Sequence, residues 1–182
     1  MPILLERPQI EIAPPKVNPF DRPVERAFPW PKIIHDAEQV HGNLRANPRP
    51  LALYVFRSLI LPGADTHKIA EADDAAYAAI TGSQELSDQL ISYYRGERDK
   101  QGRALSMCLW KTAEAALQAV HGNNAEAHRY AAGQTQEFYG DNWSLETWSL
   151  LPTDHNVLFI PHSNPHSPTN RKELFNASLS NS

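Results

Sequence analysis

The chain has 182 residues, of which 41% are hydrophobic and 21% are charged, and its formal net charge is −4. Lys and Arg are not clustered, which argues against sequence-independent binding of nucleic acid. No apolar run reaches the ~18–20 residues of a membrane span. The single cysteine, Cys108, excludes an internal disulfide, and the N-terminus lacks the features of a secretory signal. We therefore expect a soluble, cytoplasmic protein that binds neither nucleic acid nor membranes.

Proline placement divides the chain into three parts. Of the 15 prolines, ten lie in residues 1–50, four lie after Leu151, and only Pro62 lies between. Proline removes a backbone donor and is poorly tolerated inside helices and central strands. We predict a folded domain over residues 51–151, between a Pro-rich N-terminal arm over 1–50 and a polar C-terminal tail over 152–182. Within the arm, Pro31 and the apolar positions after it predict a short helix over 31–46.

Inside the predicted domain, strands and helices follow one another in a simple order. The apolar run 51–61 predicts a buried strand. Asp65 is a good N-cap for a helix that ends near Thr81. Two strand-like segments, 90–96 and 103–110, are joined by a hairpin connection at 99–102. Thr112 then predicts the cap of a second helix, which breaks at Gly122 and resumes, and the last strand is predicted over 143–150.

This order predicts an α+β fold of the ferredoxin-like β-α-β-β-α-β type, with a four-stranded antiparallel sheet and both helices on one face. Side chains alternate along the strand 103–110. One face carries Leu105, Met107 and Leu109, and the other carries Ala104, Ser106, Cys108 and Trp110. We expect the Leu/Met face to pack against the sheet of a second copy, which gives a homodimer. The small residues would face the helices, where they either leave room for a ligand or let the helices approach closely.

The sequence from Gly102 to Ala116 resembles one family. A strand ends in Trp110, Thr112 caps an Ala-rich helix, and His128 follows about two turns beyond. This resembles the antibiotic-biosynthesis-monooxygenase-like branch of the dimeric α+β barrel proteins, over roughly residues 51–150. The resemblance implies a homodimer with a pocket between sheet and helices in each subunit. Members include cofactor-independent oxygenases of aromatic polyketides and heme-degrading oxygenases, and related barrels catalyse cyclisation or isomerisation.

The resemblance also implies site residues. In polyketide oxygenases of this family, an Asn and a Trp four residues apart on this strand are implicated in substrate oxidation. Trp110 matches the Trp, and Ser106 stands in the place of the Asn with a shorter reach. Heme degraders place an axial His near the position of His128, but the Asn on the first strand and the Trp on the second helix that they need are missing. The heme-degrading activity is therefore not favoured.

Other candidates come from the residue pattern. His121 and His128 flank the helix break, and either is a general base or a solvent-facing histidine. Asp73 and Tyr77 are spaced i, i+4, so they orient a substrate hydroxyl or form a surface hydrogen bond. Arg57 interrupts an apolar strand and needs an anionic partner, either Glu146 or a substrate anion. The candidates are thus catalytic Trp110, His128, Ser106 and Tyr77, and substrate-binding Arg57, Asp73, His121 and Tyr94.

The sequence leaves two classes of function open. It has no nucleotide-binding glycine loop, no cysteine pair and no nucleophile elbow, so we expect no cofactor and no metal. The first hypothesis is a small cofactor-independent tailoring enzyme that acts on an aromatic or polyketide-like molecule, by oxygenation or by cyclisation or isomerisation. The second is a non-catalytic ligand-binding or interaction protein that uses its long arms.

Overall fold

The computed structural model describes residues 23–122 and 125–162, which form an α+β fold. The helices within these ranges are α1 (Val24–Ala27), α2 (Trp30–His41), α3 (Thr66–Thr81), α4 (Gln84–Gln89), α5 (Ala113–His121), α6 (Glu126–Gly133) and α7 (Thr135–Tyr139). The strands are β1 (Leu51–Leu59), β2 (Leu90–Arg95), β3 (Arg103–Trp110), β4 (Trp143–Pro152) and β5 (Val157–Pro161). None of the described helices is long and apolar enough to cross a membrane.

All five strands belong to one antiparallel sheet, in the order β2-β3-β1-β4-β5. The prediction of four strands is therefore wrong, because β5 lies in the segment that was predicted to be a polar tail. Its sequence, Val157 to Ile160, is an apolar run between two prolines. It follows a tight turn in which Thr153 Oγ1 accepts a hydrogen bond from the amide of Asn156. This turn brings β5 back alongside β4, with Phe159 opposite Leu150.

Local signals set the ends of the helices where the sequence predicts them. The Asp65 carboxylate accepts hydrogen bonds from the first-turn amides of α3, and the Thr112 hydroxyl accepts one from the amide of Ala115 in α5. The hairpin between β2 and β3 turns at Gly102, whose φ of 83° is favourable only for glycine. A side chain there would also collide with Ile60, 2.8 Å from the Cβ position.

The two faces of the sheet are covered differently. We call the side that bears Leu51, Leu53, Val55, Leu105, Met107, Leu109 and Leu150 the apolar face. It packs against α1 and α2 of the same chain. The expectation that this face meets the sheet of a second copy is wrong, because α2 already covers it. Trp30, Ile33, Ile34 and Ala37 are spaced i, i+3, i+4 and i+7, so they form one buried helix stripe.

We call the opposite side, which bears Tyr54, Tyr93, Cys108 and Trp110, the tyrosine face. It lies under α3, α4 and α5, and α6 packs against α3. The predicted alternation along β3 is confirmed, since Leu105, Met107 and Leu109 join the apolar cluster while Cys108 and Trp110 join the cluster beneath the helices. The fold therefore has three layers, with the sheet between α1–α2 and the remaining helices.

Candidate functional site

Asp73 lies at the centre of a polar cluster between α3 and the tyrosine face. The Tyr93 hydroxyl on β2 donates to the carboxylate, 2.8 Å from each of its two oxygens. Arg95, two residues further along β2, therefore lies on the same face. Its Nη1 is 3.2 Å from an Asp73 oxygen and 2.6 Å from an Asp74 oxygen. One carboxylate thus holds a phenol and a guanidinium side by side.

Burial favours the neutral form of three nearby groups, and the Asp73 charge also acts on each of them. Burial raises the pKa of Tyr93, and the negative charge of Asp73 raises it further. The same two causes, in the same order, raise the pKa of the Cys108 thiol to about 12. Burial lowers the pKa of His128 on α6, and the Asp73 carboxylate partly opposes that fall. A neutral imidazole, a thiol and a phenol therefore surround one carboxylate at neutral pH.

The middle of the tyrosine face keeps partial exposure to solvent beneath the helices. Cys108 is paired with Tyr93 on one side and Tyr54 on the other, so it lies inside the sheet and not at its edge. Nevertheless Cys108, Tyr54 and Tyr93 are only partly buried, whereas Met107 next along the strand is 1% exposed. The helix residues buried above this face are mostly alanines: Ala72, Ala76, Ala115, Ala116 and Ala119. We call the region between these alanines and the Tyr54–Cys108–Tyr93 row the alanine-roofed space.

Four of the predicted residues lie in or beside this space. Tyr77 stacks on Tyr93 with a ring-centroid distance of 5.1 Å. Asp73 does face the sheet, but its phenol partner is Tyr93, although the i, i+4 spacing pointed to Tyr77. His128 is close enough for the Asp73 charge to affect its pKa. Ser106 lies one pair further along β3, opposite Arg95 and Phe56.

The structure separates the other four candidates from this cluster. Trp110 is buried among Ile80, Leu86 and Leu90 at the opposite end of the face. His121 is exposed at the last position of α5. Arg57 lies on the apolar side of β1, where its Nε is 2.5 Å from Glu146 Oε1. Of the two partners expected for Arg57, Glu146 is therefore the one that the structure contains.

Tyr94 is the fourth separated candidate, and its neighbour Tyr93 takes the place expected for it. Tyr94 points to the apolar side and packs edge-on against Phe28, at a ring-centroid distance of 5.3 Å. Tyr93 and Tyr54 were not among the predicted residues. The register of the β2–β3 hairpin could have indicated Tyr93, because a residue opposite Cys108 must share its face.

Within residues 23–122 and 125–162, no group of three or more His, Cys, Asp or Glu side chains is placed to hold a metal ion. The groups that the described residues bring together at the site are two carboxylates, an imidazole, a thiol, a guanidinium and three phenols. Such groups transfer protons and donate or accept hydrogen bonds.

Comparisons with known proteins identify a family. A family model described as PB2B2.08-like matches residues 10–160, so the chain belongs to the PB2B2.08-like family. A solved structure of a protein of unknown function from Nitrosomonas europaea is 13% identical, covering 60% of this chain and 96% of its own, with a TM-score of 0.43. A solved structure of a conserved protein of unknown function from Bacteroides thetaiotaomicron, named a possible oxidoreductase, is 20% identical. The match covers 57% of this chain and 99% of that one, with a TM-score of 0.38. No curated protein matches the chain.

Proposed function

We propose that this member of the PB2B2.08-like family is a cofactor-independent oxidoreductase that acts on a small aromatic, polyketide-like molecule in the alanine-roofed space. One observation carries the proposal: a partly buried carboxylate, Asp73, acts on the pKa of an imidazole that burial lowers, beside a tyrosine face whose middle row keeps partial exposure. A neutral imidazole near a fixed carboxylate is suited to remove a proton and to hold it.

The strand order supports a fold relationship with the monooxygenase-like proteins. Four strands in the order β2-β3-β1-β4, all antiparallel to their neighbours, are those that a ferredoxin-like β-α-β-β-α-β unit produces. On this view β5 extends the sheet, and α2 takes the position that a partner's sheet holds in the dimeric barrels. The pocket side is then the tyrosine face, as the resemblance implies.

The first chemical step is proton transfer to His128. The imidazole is neutral at neutral pH because burial lowers its pKa, so its free nitrogen accepts a proton from an acidic ring methylene of the substrate. The imidazolium that forms is compensated by the negative charge of Asp73. Asp73 itself is held in place by the Tyr93 hydroxyl and Arg95, so its charge is present before the reaction starts.

The second step uses molecular oxygen as the oxidant. The substrate carbanion gives an electron to O₂, and the two radicals combine to form a carbon–oxygen bond. The peroxide anion takes back the proton held by His128 and becomes a hydroperoxide. His128 then removes the second methylene proton, the carbonyl forms as the O–O bond breaks, and His128 gives that proton to the departing hydroxide. One methylene and one O₂ thus become one carbonyl and one H₂O. Tyr54 stays protonated because burial raises its pKa, so its hydroxyl can donate to oxygen atoms of the substrate.

Anthrone, a tricyclic aromatic with an acidic methylene, provides the test. The protein should accelerate both oxygen uptake and the appearance of anthraquinone, measured with an oxygen electrode and by absorbance. A His128→Gln variant should lose about 10²-fold or more in kcat, the usual contribution of a general base. The matched control is His67→Gln, which removes an exposed histidine on α3 and should leave kcat unchanged.

Deuterium exchange under anaerobic conditions separates the two steps. If His128 is the base, the methylene protons of anthrone exchange with D₂O in the absence of oxygen, and His128→Gln abolishes the enhancement. Exchange without oxidation in air would assign proton-transfer chemistry, as in an isomerase or cyclase. Equal rates for both variants and for buffer would exclude the proposed site for this class of substrate.

A further inference from the structure

The charged groups of the site lie on its solvent-exposed side. Side-chain exposure rises from 35% for Asp73 and 43% for Arg95 to 72% for Asp74. Cys108 and Tyr93, on the sheet beneath, are less exposed than Arg95 and Asp74. A ligand that approaches this cluster from solvent therefore meets Asp74 and Arg95.

These three groups do not cancel. Arg95 places one Nη1 between the carboxylates of Asp73 and Asp74, which leaves a formal charge of −1. The remaining titratable groups of the cluster do not restore the balance, because His128, Tyr93 and Cys108 are all held neutral. The nearest further guanidinium on α6, that of Arg129, is held at the carbonyl of Gly122.

We infer that the site selects uncharged aromatic ligands and rejects the corresponding carboxylates, and that Asp74 is the residue that determines this specificity. Asp73 already has the Tyr93 hydroxyl and Arg95 as partners, so the second carboxylate is not needed to hold the guanidinium. Its effect is to leave the cluster with an excess negative charge, which repels an anion. The inference rests on the proposed function for the location of the ligand, but not on the reaction.

Two probes with the same ring system test it: 9-hydroxymethylanthracene, which is neutral, and 9-anthracenecarboxylate. Binding to the full-length protein is followed by the intrinsic fluorescence of the probes at low ionic strength. The neutral probe should bind on the order of tenfold more tightly than the carboxylate. This is the size expected when one nearby charge repels the ligand in a partly solvated site. The difference should shrink at high salt.

Asp74→Asn should tighten binding of the carboxylate several-fold and leave the neutral probe unchanged. The matched control is Asp36→Asn, which makes the same change in net charge on α2, beyond the opposite face of the sheet. Tighter carboxylate binding in both variants alike, or a carboxylate that binds the wild type as well as the alcohol does, would overturn the inference. Charge-selective binding without anthrone oxidation would leave the inference standing while the proposed reaction falls.

Discussion

The two faces of the sheet are closed by helices of opposite character. The apolar face is covered by large side chains from α2, with Trp30, Ile33 and Ile34 all at most 2% exposed. The tyrosine face is covered mainly by alanines, and the sheet residues beneath them remain partly accessible. Large residues against leucines fill a layer at the density of a protein interior.

The two faces therefore differ in role: the apolar face contributes close packing, and the tyrosine face carries the candidate site. The buried polar residues of the apolar face, Ser92 and Glu146, lie opposite Leu109 and Val55, and Glu146 is paired with Arg57. On the tyrosine face, the negative charge of Asp73 shifts the pKa of Tyr93, Cys108 and His128. An apolar layer made by α1 and α2 of the same chain covers one face of the sheet, so the candidate site lies on the other.

The largest effect should follow from Trp30→Ala. Trp30 is 2% exposed, packs edge-on against Phe159 at 5.2 Å, and donates from its indole nitrogen to the carbonyl of Val24. We expect the free energy of unfolding to fall by about 3–5 kcal/mol, the usual range for a buried Trp→Ala change, as measured by urea denaturation. The exposed Leu158, on the opposite side of β5, provides the control, and Leu158→Ala should change stability by less than about 1 kcal/mol. Similar losses for both would mean that α2 does not close the apolar face.

A matched pair of Ala→Leu variants compares the two layers directly. Ala37 is fully buried in α2 against the apolar face, and Ala76 is buried in α3 above the tyrosine face. Overpacking should make Ala37→Leu less stable by about 1–3 kcal/mol. Ala76→Leu should cost less than about 1 kcal/mol, since its added methyl groups enter the alanine-roofed space. It should also weaken binding of 9-hydroxymethylanthracene, which Ala37→Leu should leave unchanged. A larger loss of stability for Ala76→Leu would show that the roof is already closely packed.

Much of the local structure could be predicted from the sequence, because its causes are local. The cap at Asp65, the cap at Thr112 and the alternation along β3 each depend on residues within a few positions of one another. What covers the Leu105–Met107–Leu109 stripe could not be predicted in the same way, because an apolar stripe fits a second sheet and an amphipathic helix equally well. The Asp73–Tyr93 bond joins residues 20 positions apart, and only the three-dimensional packing of α3 on β2 brings them together.

The smallest effect, and the one most specific to the tyrosine face, is the pH response of His128. Burial lowers its pKa from the ordinary value of 6.5 in the folded protein. Below pH 6.5 the unfolded chain therefore binds a proton that the folded chain does not, and stability falls as the pH decreases from 6.5 to the folded pKa. NMR titration of the His128 ring should show a midpoint below 6.5. In Asp73→Asn it should be lower still, because the charge that opposes the fall is removed, and His128-dependent deuterium exchange should follow the same midpoint. A midpoint above 6.5 would mean that the base is already protonated near neutral pH. The tyrosine face could not then supply the neutral imidazole that the proposed reaction needs.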